Sequence, residues 1–174
     1  RYAVSDTDYQ TITFYECAED GLSTTNLEWL TNDALPYAGK PYRAIKATTI
    51  TIDALVAKYG EPDLMKIDVE GGEWATLRGM TRKYGTLAIE WTLETLAEHE
   101  AQLDYLAALG YTEYAPQYIE HHLTEPEAWY PLSVSNAGAL TSWQTKTCRE
   151  WIHGGWKVAN LRPTADVGML WVRG

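Results

Sequence analysis

A short strand that runs into a diglycine turn and then a helix constrains this chain more than any other feature. The stretch 63–73 reads Asp-Leu-Met-Lys-Ile-Asp-Val-Glu-Gly-Gly-Glu. Its apolar residues favour extended backbone, and the glycine pair ends the strand because glycine adopts backbone angles that other residues avoid. Trp74, Leu77 and Met80 follow at a spacing of three, which predicts one apolar helix face. Such a unit is half of a βαβ motif, in which ligands bind at the carboxyl end of the strand.

Strands and helices alternate on both sides of this stretch. The sequence predicts strands near 1–6, 11–17, 42–50, 63–70, 86–91, 111–115 and 167–172. It predicts helices over 52–59, from 73 to about 84, and over 97–109. This alternation is typical of an α/β layer with a mostly parallel sheet.

The helix at 52–59 has recognisable capping residues at both ends. Two other segments, 18–40 and 117–165, give few indications of secondary structure. Thr51 is placed to cap the helix at 52–59, Asp53 lies in its first turn, and Gly60 with Pro62 ends it. Residues 18–40 read as a long loop with one helical turn near 27–30, and loops of that length are usually functional or mobile. Residues 117–165 show no clean period.

Composition limits the class of protein and its partners. The chain has 174 residues, so a single domain is the default, and its 45% hydrophobic content is enough for a core. A net charge of -10 argues against nucleic acid or an anionic membrane as the main partner. The sequence contains no run of 18 apolar residues that would predict a transmembrane span, and no signal peptide is visible.

Two cysteines, Cys17 and Cys148, show no metal-ligand spacing. We interpret them as free thiols in a reducing compartment, with a disulfide as the alternative, and therefore expect a cytoplasmic protein.

Several sequence blocks follow one another in a distinctive order, and the most distinctive is Lys-Ile-Asp-Val-Glu-Gly at 66–71. The other blocks are Ala-Val-Ser-Asp at 3–6, Thr-Ile-Thr-Phe-Tyr at 11–15, Thr-Ile-Thr-Ile-Asp-Ala-Leu at 49–55, Glu73 with Leu77 and Gly79, and Ile89-Glu90. In this order the blocks resemble the FkbM family of S-adenosylmethionine-dependent methyltransferases. The resemblance covers about residues 1–115, and 116–174 form a divergent tail rich in Trp and Tyr that ends in a closing strand.

The resemblance implies a Rossmann-like class I methyltransferase fold, with a mostly parallel sheet flanked by helices. It implies methyl transfer from S-adenosylmethionine, usually to a hydroxyl oxygen of a sugar or a small natural product. In such folds the turn at Val4, Ser5 and Asp6 lies near the adenine, and the Asp68 end of the next core strand lies near the reactive methyl.

Members of the family begin with a glycine-rich turn after their first strand, and an acidic residue after the second strand holds the ribose. Arg1 falls after both positions, so the chain is expected to lack the first two strands. The missing strand would leave buried backbone groups unpaired. We therefore expect a missing N-terminal segment, a second chain that completes the fold, or a degenerate module that does not bind the cofactor.

Four residues are the candidates for the chemistry. Alternation puts Lys66, Asp68 and Glu70 on one side of the strand while it stays extended. Asp68 or Glu70 could take the proton from the attacking hydroxyl, and Lys66 could pair with a carboxylate or hold substrate charge. Glu90 ends the neighbouring strand and, with Asp68, could hold a divalent metal ion.

Structural alternatives stand beside these roles. Asp68, Glu70 and Glu73 could instead cap the following helix and bind the amides of the glycine turn. Ser5 and Asp6 could simply form a turn. His121, in Glu-His-His at 120–122, could serve a substrate pocket or lie in a surface loop.

Aromatic residues are the last group of candidates, because the chain has 8 Trp, 12 Tyr and only 1 Phe. Trp and Tyr suit wet pockets and sugar faces. Trp91 could line the acceptor site, and Trp129, Tyr130 and Trp143 could stack on a sugar, with ordinary packing as the alternative. The sequence thus predicts an O-methyltransferase acting on a glycan or small molecule. The alternative is a non-catalytic module that binds carbohydrate or a protein partner.

Overall fold

A computed structural model describes residues 1–19, 21–33, 35, 37–92, 96–118, 129–131 and 167–174. The elements in chain order are β1 (Tyr2–Val4), β2 (Thr11–Cys17), α1 (Leu27–Thr31), β3 (Tyr42–Ile50), α2 (Ile52–Tyr59), β4 (Leu64–Ile67), α3 (Glu73–Arg78), β5 (Thr86–Thr92), α4 (Leu96–Ala108), β6 (Glu113–Tyr118), β7 (Tyr130–Pro131) and β8 (Val167–Arg173). The strands and helices that the sequence predicts therefore occur in the predicted order, and β7 is an addition within the segment 117–165, where the sequence predicts no element.

The chain divides into two compact units. The first contains Arg1–Asp63 and Ile67–Gly85, and the second contains Leu64–Lys66 and Thr86–Gly174. One sheet has three strands in the order β1-β3-β2, and the other has five in the order β4-β5-β8-β6-β7. Where a direction is defined, β1–β3 is parallel, whereas β2–β3, β5–β8, β6–β7 and β6–β8 are antiparallel. The fold is mixed α/β, and the expected mostly parallel sheet is not confirmed.

The β2–β3 hairpin and β1 form the sheet of the first unit. Thr11 pairs with Thr48 at one end of the hairpin and Cys17 with Tyr42 at the other. β1 runs alongside the last residues of β3, where Val4 pairs with Ile50. This register places the turn after β1 beside the start of α2, where the Asp8 carboxylate accepts the backbone N–H of Thr51 at 2.7 Å.

Helix α2 begins and ends where the sequence predicts. The Thr51 hydroxyl accepts the N–H of Ala54 at 3.1 Å, and Gly60 ends the helix with a φ of 96°. Asp53, in the first turn, also makes contacts outside the helix. Its carboxylate accepts the Thr81 hydroxyl and the Tyr84 hydroxyl, each at 2.6 Å, which ties α2 to the segment after α3.

Helix α3 is shorter than the prediction, which extended it to about residue 84. It ends at Arg78, and Gly79 follows as its C-cap, close to neighbouring backbone. A Cβ at Gly79 would lie 2.4 Å from the carbonyl oxygen of Ser5, and the Gly79 carbonyl accepts the N–H of Asp53 at 3.1 Å. Contacts from the turn after β1 and from α2 therefore set the end of the helix.

The sheet of the second unit has an apolar core. β5 pairs with β8 from Leu87–Val172 to Thr92–Val167, and β8 also pairs with β6. Ala88, Ala115, Met169 and Trp171 form a buried cluster against which Trp129 packs. Leu103 and Leu106 of α4 are fully buried, as their spacing predicts.

Two further expectations bear on the protein's setting. Cys17 is a buried free thiol, and Cys148 lies outside the described residues. Among the helices that the structure describes, none is long and apolar enough to cross a membrane.

Candidate active site

The turn after β4 leaves the extended conformation early. The strand ends at Ile67, Asp68 is half-buried just beyond it, and Glu70 has a φ of 54°. The alternation expected for Lys66, Asp68 and Glu70 therefore does not reach Glu70. A left-handed backbone at a residue other than glycine costs about 1–3 kcal/mol and persists only where its surroundings hold it.

Gly71 is required at the next position for two reasons. Its φ is 85°, and a Cβ there would lie 3.1 Å from Cε3 of Trp29. The Trp29 indole is buried and stacks on Tyr37 with ring centroids 5.0 Å apart. The turn thus packs against the ring of Trp29, a residue of the loop at 18–40.

Two residues of the same loop donate hydrogen bonds to Glu70, one to its carboxylate and one to its backbone carbonyl. The indole Nε1–H of Trp29 donates to the Glu70 carboxylate at 3.1 Å. The hydroxyl of Thr24, which is fully buried, donates to the Glu70 backbone carbonyl at 2.7 Å. These contacts support the left-handed backbone, because one fixes the Glu70 carbonyl and the other fixes its side chain.

Glu73 binds the turn from the first position of α3. Its buried carboxylate accepts the backbone N–H of Val69 at 2.9 Å. Burial raises the pKa of Glu73 and the nearby charge of Asp68 raises it further, whereas the backbone amides of Val69, Gly71 and Glu73 itself act in the opposite direction. For Glu73 the structure therefore shows the amide-binding alternative.

The turn after β1 is hydrogen-bonded to residues of the C-terminal half of α3. The Thr76 hydroxyl donates to the carbonyl of Val4 at 3.4 Å. Arg78 donates from Nε and Nη2 to one carboxylate oxygen of Asp6, at 3.2 and 2.7 Å, and the Ser5 hydroxyl donates to the other at 3.3 Å. Both oxygens of Asp6 thus have partners in the protein.

Helix α3 is the shared support of the two turns predicted to form the site. Its first residue, Glu73, binds the turn that carries Asp68 and Glu70. Thr76 and Arg78, at its other end, bind the turn that carries Val4, Ser5 and Asp6.

The remaining predicted residues lie elsewhere in the chain. Lys66 is exposed on β4, whereas Glu90 and Trp91 are buried on β5, and all three belong to the second unit. His121 and Trp143 lie outside the described residues. In the part of the chain that the structure describes, no three histidine, cysteine or carboxylate side chains form a group suited to a metal ion.

Sequence reasoning missed the partners of the two turns, which are Thr24, Trp29, Thr76 and Arg78. The one local signal for Trp29 was the predicted helical turn at 27–30, which the structure confirms as α1 with Asn26 as its cap. Nothing local in the sequence connects Trp29 to a glutamate 41 residues later.

Comparison with known protein families identifies the class of this mixed α/β chain as a methyltransferase. The Methyltransferase FkbM domain matches residues 1–130, and the chain therefore belongs to the FkbM methyltransferase family. The resemblance inferred from the sequence blocks is confirmed, and the match extends beyond residue 115. No curated protein matched the chain, and no solved structure matched it.

Proposed function

We propose that this chain transfers a methyl group from S-adenosylmethionine to a hydroxyl oxygen of a sugar, a glycan or a small natural product. The observation that carries the proposal is the Asp68–Glu70 turn, where two carboxylates follow a strand end and one is held in a costly left-handed conformation. Strain of this kind is concentrated at functional sites. The family of the chain supports the methyl-transfer chemistry.

The charged side chains of this turn suit the cofactor. S-adenosylmethionine supplies an electrophilic methyl group on a positively charged sulfur. The half-buried carboxylates of Asp68 and Glu70 provide the negative charge that a cationic ligand needs. Val4 and Ser5 would contact the cofactor from the turn after β1, and Asp6 would hold that turn through Arg78.

Removal of the hydroxyl proton is the task we assign to Asp68 or Glu70. A base within hydrogen-bond reach typically contributes about 10²–10⁴-fold to such a reaction. A carboxylate can accept about four hydrogen bonds, so the bond from Trp29 is compatible with a role for Glu70 as the base. Roles for Lys66, Glu90 and Trp91 stay predictions from the sequence, as does a divalent metal ion.

One observation favours the alternative, a module that binds carbohydrate without catalysis. Tyr2, Tyr9 and Tyr59 are 49%, 70% and 72% exposed in the first unit. Lys58 lies 6.0 Å from the ring centroid of Tyr2 and 5.0 Å from that of Tyr59. Exposed tyrosine rings beside a polar group suit the faces of sugars.

An assay with point variants separates the two functions. The wild-type chain, Asp68→Asn and Glu70→Gln are incubated with S-adenosylmethionine and a panel of monosaccharides and phenyl glycosides, and S-adenosylhomocysteine is measured by mass spectrometry. Asp63→Asn is the matched control, because Asp63 is exposed and precedes the opposite end of β4.

We expect turnover by the wild type and the control, and a loss of roughly a hundredfold or more in at least one site variant. Sugar binding without turnover, unchanged by Asp68→Asn, would support the module instead.

A further inference from the structure

The loop at 18–40 is built around its contacts with the Glu70 turn. Thr24 pairs with Tyr15 of β2 through backbone hydrogen bonds at 2.8 and 3.1 Å. Its hydroxyl accepts the N–H of Asn26 at 2.9 Å while it donates to the Glu70 carbonyl. Asn26 then caps α1, which carries Trp29. Thr24 is therefore fixed by its pairing with Tyr15, and Trp29 by its place on α1 and its stacking on Tyr37.

From this arrangement we infer that Trp29 is a positioning residue for the Glu70 carboxylate, with Thr24 holding the backbone of the same residue. The inference rests on the proposed function, and it takes Glu70 rather than Asp68 as the base at the reacting hydroxyl. Trp29 is 3% exposed, so it does not itself meet the substrate. It acts through the indole N–H and through the ring that covers Gly71.

Glu70 needs such support because its backbone is strained. With a φ of 54°, the residue would relax toward ordinary angles if its carbonyl and carboxylate lost their donors. Relaxation would swing the carboxylate away from the position it now holds. A displacement of about 1 Å at a catalytic group can lower the rate by about a hundredfold.

A Trp29→Phe variant tests the hydrogen bond separately from the packing. Phenylalanine keeps an aromatic ring against Gly71 and Tyr37 but has no N–H to donate. Trp74→Phe is the matched control, because it removes another indole N–H from the first unit and keeps a ring against the Arg78 guanidinium, 5.2 Å from the Trp74 ring. We expect Trp29→Phe to lower kcat roughly tenfold to a hundredfold, while the KM for S-adenosylmethionine and the Tm stay close to those of Trp74→Phe.

A double-mutant cycle with Glu70→Gln shows whether Trp29 acts through Glu70. If it does, Trp29→Phe lowers kcat in the wild-type background and has little further effect in Glu70→Gln. Additive losses in the two backgrounds, or equal kcat values for Trp29→Phe and Trp74→Phe, would overturn the inference. Failure of the proposed base is distinguishable, because Glu70→Gln alone would then leave kcat unchanged, and the positioning role would fall with it.

A nuclear magnetic resonance titration tests the contact without any acceptor. The indole N–H signal of Trp29 is assigned by its absence from Trp29→Phe. Addition of S-adenosylmethionine should shift this signal in the wild type, because the Glu70 carboxylate that accepts the indole N–H would act beside the bound cofactor in the proposed function. A signal that stays in place while others shift would contradict the positioning role, even if no acceptor in the panel is methylated.

Discussion

The carboxylate of Glu73 and the backbone N–H of Val69 are joined by a hydrogen bond of 2.9 Å that closes the turn between β4 and α3. A glutamate buried at this position holds its proton more tightly in the folded state than in the unfolded chain, since burial raises its pKa. Its contribution to stability is therefore fully present below the ordinary pKa of 4.5 and is lost as the pH rises through the raised value.

Glu73→Gln should flatten this pH dependence. The glutamine oxygen can still accept the Val69 N–H, but the side chain no longer titrates. Urea unfolding of wild type and variant, from about pH 4 to 8, should show a free energy of unfolding that falls more steeply for the wild type. Parallel curves for the two proteins would contradict the assignment.

Tyr84→Phe should destabilise the fold by about 1 kcal/mol, because it removes the hydroxyl that donates to Asp53 at 2.6 Å. Burial and the Asp53 carboxylate raise the pKa of Tyr84 to about 12, so the wild type should lose stability as the pH rises from 10 toward that value. Urea unfolding at neutral and alkaline pH measures both effects. Tyr59→Phe is the control, because Tyr59 is 72% exposed and should change stability by less than about 0.5 kcal/mol.

Gly71→Ala should lower the free energy of unfolding more than a substitution at a glycine whose surroundings leave room for a Cβ. Gly39 has a φ of 78°, and a Cβ added there would meet nothing within 4 Å, so Gly39→Ala reports the backbone cost alone, about 1–2 kcal/mol. Gly71→Ala adds a contact with the Trp29 ring at 3.1 Å. Chemical denaturation of the two variants gives the difference, and equal costs would mean that the ring moves aside freely.

Arg78→Ala should weaken S-adenosylmethionine binding by about tenfold with little change in stability, because its pair with Asp6 is partly exposed and fixes the turn after β1. Arg82→Ala is the control, since Arg82 forms a similarly exposed ion pair with Glu61. Calorimetric titration compares the two affinities. Equal affinities in the two variants would contradict the assignment of the Val4–Asp6 turn to the cofactor site.

Local signals explain which parts of the fold could be predicted. Thr51 and Gly60 fix the ends of α2 through contacts within three or four residues, so the sequence was sufficient there. The end of α3 was missed because the contacts around Gly79 come from residues that are distant in the chain. The Gly79 carbonyl accepts the N–H of Asp53, and a side chain at Gly79 would meet the carbonyl of Ser5. Pairing directions were missed for the same reason, since alternation of strand and helix does not determine which strands meet.

The candidate site was predictable only in its residue types. The block at 66–71 marked Asp68 and Glu70 through its order of strand, carboxylates and glycine. The left-handed backbone of Glu70 and its support by Thr24 and Trp29 depend on long-range contacts that no periodicity reports.

Calorimetric titration of the folded wild-type chain with S-adenosylmethionine tests the proposed cofactor site most directly, with circular dichroism to confirm folding. We predict saturable binding that S-adenosylhomocysteine competes away and that Asp68→Asn weakens. A folded chain that gives no saturable heat would contradict the assignment of the Asp68–Glu70 turn to a site for S-adenosylmethionine.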